Sequence, residues 1–183
     1  MMRRIIAIAA LALSACAQPA PAPAGETDLA QRVAALEDER AIRAAAAAID
    51  LAVDEKDWAA ARAGFTDRVR VDFSSLGGGE PATISADDLV GGWRNNLHRN
   101  KPSWHIRGLE TVTLNGDEAT LVSHGYAWNA LPQRVENDLW EVWGTYTHHF
   151  VRTPQGWKVD RFSFTATHER GDASIRTDIA AED

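Results

Sequence analysis

Hydrophobic and polar positions change period along the chain. From Thr27 or Asp28, either able to cap a helix, apolar residues recur mostly three or four apart through Leu29, Val33, Leu36, Ile42, Ala46, Ile49 and Val53. This spacing predicts a long helix, with the charged stretch Glu37–Arg40 marking a solvated turn or a short break. A second helix is expected from Asp57, carrying Trp58, Ala59, Ala60, Ala63 and Phe65. Val69-Arg70-Val71-Asp72-Phe73 then alternates in period two, the pattern of a short strand. Gly77-Gly78-Gly79, close before Pro81, reads as a loop, because it lacks the lysine and the strand-to-helix setting of a phosphate loop. Ser85 is suited to cap a third helix, with Asp87 and Asp88 in its first turn and Leu89, Val90, Trp93 and Leu97 on its apolar face.

Beyond Asn100-Lys101-Pro102 the pattern becomes that of four long strands: Ser103–Leu114, Glu118–Leu131, Asp138–Thr153 and Trp157–His168. Asn115-Gly116-Asp117 and Pro154-Gln155-Gly156 supply turns. Strands this rich in β-branched and aromatic residues need cover on one face, and the earlier helices are the available cover, which makes the fold class α+β. Alternation puts His105 and Arg107 on one face and Trp104 and Ile106 on the other. Tyr126 and Trp128 share a face with His124, opposite Asn129, while Tyr146 and His148 share one with Val142 and Phe150. Gly144, between them, is expected to leave room for a ligand or a bend. A helix-covered sheet of this kind can enclose a mostly apolar cavity with a few fixed polar groups.

The length, 183 residues, fits one domain with short appendages. Asp and Glu exceed Lys and Arg, 26 against 19, for a formal net charge of -7. Without Arg3 and Arg4 of the leader the balance is 17 against 26, or -9. This acidity argues against binding nucleic acid. A single cysteine rules out an intrachain disulfide and a cysteine-based zinc site. That cysteine closes a leader: Arg3-Arg4, the apolar run Ile5–Leu13, then Leu13-Ser14-Ala15-Cys16. The apolar run is shorter than the roughly 20 residues that span a bilayer. Its ending resembles the lipobox of bacterial lipoproteins, which implies lipidation at Cys16. Ala17, where an aspartate would favour inner-membrane retention, points to the periplasmic face of the outer membrane, with the domain tethered in water by its lipid. The expected organisation is a signal peptide over residues 1–15, an Ala/Pro-rich tether over 16–27, the domain over 28–171 and a tail over 172–183.

Asp50 and Asp54, four apart at the end of the first helix, present two carboxylates on one side. A carboxylate beside an imidazole is the simplest general acid/base unit, and Asp54 with His105 is the preferred pair. The remaining histidines do not suggest a metal: His148 and His149 are adjacent and face opposite ways, and no helix carries the HExxH spacing. The tryptophans are expected in core and cavity wall.

Several phrases, in this order, resemble the SnoaL-like branch of the nuclear transport factor 2-like superfamily, which also contains scytalone dehydratase and the ketosteroid isomerases. They are Val53-Asp54-Glu55-Lys56-Asp57-Trp58, Phe65-Thr66-Asp67-Arg68-Val69-Arg70-Val71-Asp72-Phe73, His105 early in the first long strand, Asn115-Gly116-Asp117-Glu118-Ala119, and Arg152-Thr153-Pro154-Gln155-Gly156-Trp157-Lys158-Val159. The resemblance implies a cone-shaped barrel of a strongly curved, mostly antiparallel sheet packed against three helices, in a homodimer or homotrimer. It also implies a catalytic pair at Asp54 and His105. The second histidine of the dehydratase-like members falls near Asn129, their asparagine near Tyr146, and two tyrosines near Val53 and Phe73, so identical dehydratase chemistry is not expected. Asn129, Tyr146, Phe73 and Trp128 are the expected contacts to an apolar or aromatic small molecule. The expected function is a cofactor-independent lyase or isomerase; the alternative is a non-catalytic periplasmic binding or interaction lipoprotein with the same fold.

Overall fold

The computed structural model describes residues 24–179, so the expected leader, Cys16 and most of the tether lie outside the described residues. Helix α1 (Ala24–Glu55) is followed by α2 (Trp58–Ala63), β1 (Phe65–Asp72), a 3-10 turn (Ser74–Leu76), β2 (Ala82–Ser85) and α3 (Ala86–Asn96). Then come β3 (Ser103–Asn115), β4 (Glu118–Ala130), β5 (Leu139–Thr153), β6 (Gly156–Gly171) and a short α4 (Ala173–Thr177). Local side chains account for the starts of α2, α3 and α4. Asp57 accepts the Ala60 N–H at 3.0 Å, Ser85 the Asp88 N–H at 3.0 Å, and Asp172 the Ser174 N–H at 2.9 Å. Helix α1 takes in the last residues of the stretch expected to be a tether, and α4 lies within the expected tail.

The sheet has six strands in the order β2-β1-β6-β5-β4-β3. It is mixed, because β1 runs parallel to β6 while every other neighbouring pair is antiparallel. This corrects the expectation of a cone-shaped barrel. The sheet is open, neither strongly curved nor barrel-like, and among the described residues four α-helices accompany it, not three. It does not close because its ends are the four-residue β2 and the long β3, which do not pair with each other. The fourth helix escaped the sequence pattern because five residues are too few to show a period.

The charged stretch Glu37–Arg40 does not break α1. Asp38 instead reaches β5 and β6, accepting from Arg152 Nη1 and Nη2 at 2.9 and 2.7 Å and from Trp157 Nε1 at 3.1 Å. The Arg152 pair holds its carboxyl below the usual range. The buried stripe of α1 begins only at Ile42 and continues through Ala46, Ile49, Ala52 and Val53, while Leu29, Val33 and Leu36 are exposed. Small residues at Ala46 and Ala52 let the helix lie close on the sheet.

Phe162 is the hub of the core, its ring 5.3 Å from Phe73, 5.8 Å from Trp93, 6.0 Å from Tyr146 and 4.6 Å from His148. Burying each Phe ring contributes roughly 1.5–3 kcal/mol. Two glycines permit this packing. A Cβ at Gly125 would collide with the Tyr146 ring, and one at Gly144 with Phe164 and the Thr165 carbonyl. Of the two roles expected of Gly144, a bend and not a ligand fits: the β5–β6 register shifts between Trp143 and Gly144, and the neighbouring strand takes the space.

His148 is fully buried in this aromatic cluster, and neither ring nitrogen has a hydrogen-bond partner among the described residues. Burial first, and then the nearby Arg107 charge, push its pKa down to about 3. The unfolded chain, with an imidazole near 6.5, therefore binds a proton that the folded one refuses between about pH 6.5 and 3. Stability from this residue is complete above pH 6.5 and falls as the pH drops, by about 2 kcal/mol at pH 5. His148→Phe should remove this term: urea unfolding at pH 7 and 5 should show a smaller loss in the variant than in the parent, and equal losses would refute the assignment.

Candidate active site

The last turn of α1 meets the free edge of β3, and one carboxylate makes the join. Asp54 Oδ2 accepts the backbone N–H of His105 at 2.8 Å, and Oδ1 accepts His105 Nδ1–H at 2.7 Å and the Ser103 hydroxyl at 3.1 Å. Ser103 is in turn the acceptor for Lys56 Nζ at 2.7 Å. The Asp54 and His105 side chains are 10% and 16% exposed. With the Nδ1 proton directed at the carboxylate, the lone pair of the ring lies on Nε2, the arrangement of a general base. The expected pair is therefore in contact, while Ser103 and Lys56 are additions that the sequence reading missed. Ser103 had a signal, two residues before His105 on the same face of the strand; Lys56 had only its nearness to Asp54.

His105 and Asp50 belong to the wall of a cavity of about 330 Å³, enclosed by α1, α3 and the inner face of the sheet. That volume falls within the usual range of small-molecule sites, about 300–1,000 Å³. The wall is mostly apolar, including Val53, Trp93, Val142 and Phe162, and it contains the expected Asn129, Tyr146 and Phe73. Trp128 is not among them. It faces the other side of β4, on a groove of about 590 Å³ along the α1–β3 edge, because it is one residue out of phase with Asn129. His148 is likewise absent from the wall and belongs to the packed core.

A second charged pair lies beside the first. Arg107 Nε is 2.6 Å from Asp50 Oδ2, and the Arg107 side chain is only 3% exposed. Burial pushes the Asp50 carboxyl up, and the charges of Arg107 and His105 only partly offset it. The Arg107 guanidinium also lies 5.9 Å from the Tyr146 ring. Burial holds the Tyr146 phenol well above its ordinary range, so its hydroxyl stays protonated and is a donor at neutral pH. Burial likewise pulls the Lys56 ammonium down, with Asp54 opposing. The arrangement is an imidazole base held by a carboxylate, with neutral donors in the wall of the same apolar cavity. Arg176, from α4, also lines the cavity, and no sequence signal pointed to it.

Comparison with solved structures gives the same fold in many chains. A protein of Kribbella flavida matches with a TM-score of 0.74 and 26% identity, covering 79% of this chain and 99% of its own. A protein of Novosphingobium aromaticivorans, provisionally named scytalone dehydratase, matches with a TM-score of 0.65 and 18% identity over 74% of this chain and 87% of its own. A type 2 hexachlorocyclohexane dehydrochlorinase matches with a TM-score of 0.62 and 14% identity over 76% and 92%. At those identities the last two show a shared fold alone. No curated protein matches the sequence. The sequence profile of the SnoaL-like domain matches residues 34–163, a span that runs from within α1 into β6 and holds Asp54, His105, Asn129 and Tyr146, and on this match the chain belongs to the SnoaL-like domain family.

Proposed function

We propose that the chain is a cofactor-independent lyase or isomerase that removes a proton next to a carbonyl of an apolar substrate. The observation that carries this reading is the Asp54–His105 contact, 2.7 Å long, in the wall of an apolar cavity. In the proposed step His105 Nε2 takes the C–H proton, and the electron pair moves onto the carbonyl oxygen to form an enolate. Asp54 stabilises the resulting imidazolium, and the Tyr146 hydroxyl and Asn129 amide donate to the enolate oxygen. Return of the proton to a different carbon gives isomerisation; departure of a group from the β-carbon gives elimination. The fold relatives named as a dehydratase and a dehydrochlorinase carry the names of eliminations and lend this class support by analogy.

Proton exchange tests the reading without knowledge of the natural substrate. Aryl ketones incubated with the protein in D2O should take up deuterium at the α-carbon, as read by NMR. His105→Ala and Asp54→Asn should slow exchange by about 10²–10⁴-fold while remaining folded by circular dichroism. Exchange no faster than in buffer, or unchanged in the two variants, would leave the alternative of a binding module.

The proposal extends to location and assembly. Cys16 carries lipid and anchors the domain at the periplasmic face of the outer membrane. Metabolic labelling with a tagged fatty acid should mark the parent and not Cys16→Ser, and equal labelling would rule the anchor out. The protein is a homodimer or homotrimer in contact through the outer face of the sheet, where Trp104 and Ile106 are 53% and 52% exposed. Light scattering of detergent-free protein lacking the leader should read two or three protomers, and a monomer at micromolar concentration would end this part of the proposal.

A further inference from the structure

The cavity that holds His105 has one lysine or arginine in its wall among the described residues, and it comes from α4. The segment that carries it is tied down firmly. Ile175 is fully buried, and Asp172 caps the helix. Asn96 Nδ2 donates to the Arg176 carbonyl at 2.6 Å, the fully buried Lys101 donates to the Asp178 carbonyl at 2.9 Å, and His98 Nε2 lies 2.9 Å from Asp178 Oδ2. These contacts hold the backbone of α4 against the end of α3, which itself reaches the cavity through Asn96 and Leu97.

None of them uses the guanidinium of Arg176. Its Nε is buried without a hydrogen-bond partner among the described residues; Glu169 Oε2, at 4.0 Å, makes a long ion pair with it but no hydrogen bond. The side chain is 29% exposed. A guanidinium at the wall of a mostly apolar cavity, paired to Glu169 only at 4.0 Å and making no side-chain hydrogen bond among the described residues, is a fork suited to a carboxylate, which it binds through two parallel N–H bonds. Arg107 is less suited. Its Nε already stands 2.6 Å from Asp50 Oδ2, and it lines the groove along the α1–β3 edge, not the cavity wall. We infer that Arg176 binds a carboxylate of the substrate, so that the compound admitted to the cavity is an apolar carboxylic acid. The inference deepens the acid/base reading of His105 by naming a substrate class, but recognition of the carboxylate does not require proton transfer.

Trp93 and Trp140 line the cavity and supply a binding signal. Their fluorescence is to be followed at low salt while the protein is titrated with 4-phenylbutyrate and, separately, with its neutral counterpart 4-phenylbutanamide. The acid should bind about tenfold or more tightly than the amide. Arg176→Gln should lose that preference while keeping its affinity for the amide. Arg176→Lys, which keeps the charge and gives up the fork, should retain part of the preference and serves as the informative variant if Arg176→Gln does not fold. His105→Ala should keep the preference intact. A preference that persists with no proton exchange in D2O would reject the base role of His105 and leave carboxylate recognition standing. Equal binding of acid and amide, a preference unchanged in Arg176→Gln, or no binding of either compound would overturn the inference.

Discussion

The Asp54 carboxylate does two things at once, and the rest of the site depends on it. It accepts the outward backbone N–H of His105 on the free edge of β3, a group that would otherwise be left for water or for another strand. It also accepts the Nδ1 proton of the same residue and so sets the plane and tautomer of the ring. Docking the helix end on the sheet edge and orienting the imidazole are thus one interaction. Hydrogen bonds to an ionised carboxylate are roughly twice as strong as neutral ones, and this carboxylate is shielded from competing water.

Around that pair the fold keeps its other polar groups in restrained states. Burial outweighs the Arg107 partner at Asp50, keeps the His148 ring neutral at physiological pH and keeps the Tyr146 phenol protonated. A buried ion pair such as Asp50–Arg107 is poor support for stability, because desolvation of both ions offsets much of their attraction. Its effect here is electrostatic: the cation disfavours protonation of His148 and lies close to the Tyr146 ring. The cavity wall therefore carries the neutral phenol of Tyr146 near the Asp50–Arg107 pair at the helix end, while Arg176 reaches it from α4.

The four long strands and the faces of their side chains were legible because period two survives for a dozen residues in each. His105 with Arg107, and Tyr146 with Val142, fall on the inner face as alternation requires. Asp54 was legible through its position at the end of the apolar run of α1. What failed lacked a periodic signal or depended on contacts far away in sequence. β2 is four residues long, α4 five, and the parallel pairing of β1 with β6 joins segments some ninety residues apart. The charged stretch in α1 looked like a break because its partner, Arg152 on β5, is 114 positions further along. Trp128 alternates against Asn129 and so lies on the groove along the α1–β3 edge, whose wall also holds Asp54 and His105.

The turn that ends α1 bears on how the pair is held. Lys56 adopts φ 63°, a left-handed conformation that costs a residue with a side chain on the order of 1–3 kcal/mol and that glycine adopts freely. The turn is closed by the Asp57 N–H on the Ala52 carbonyl at 2.8 Å, a bond that either residue at position 56 would allow. Glycine could not supply the ammonium that donates to Ser103 Oγ at 2.7 Å and thereby leaves the Ser103 proton to Asp54. A strained lysine in place of an easy glycine is the choice expected where the side chain's contact with the carboxylate's support is worth more than the backbone's comfort. The strain sits two residues after Asp54, and the contact it permits is with the residue two before His105.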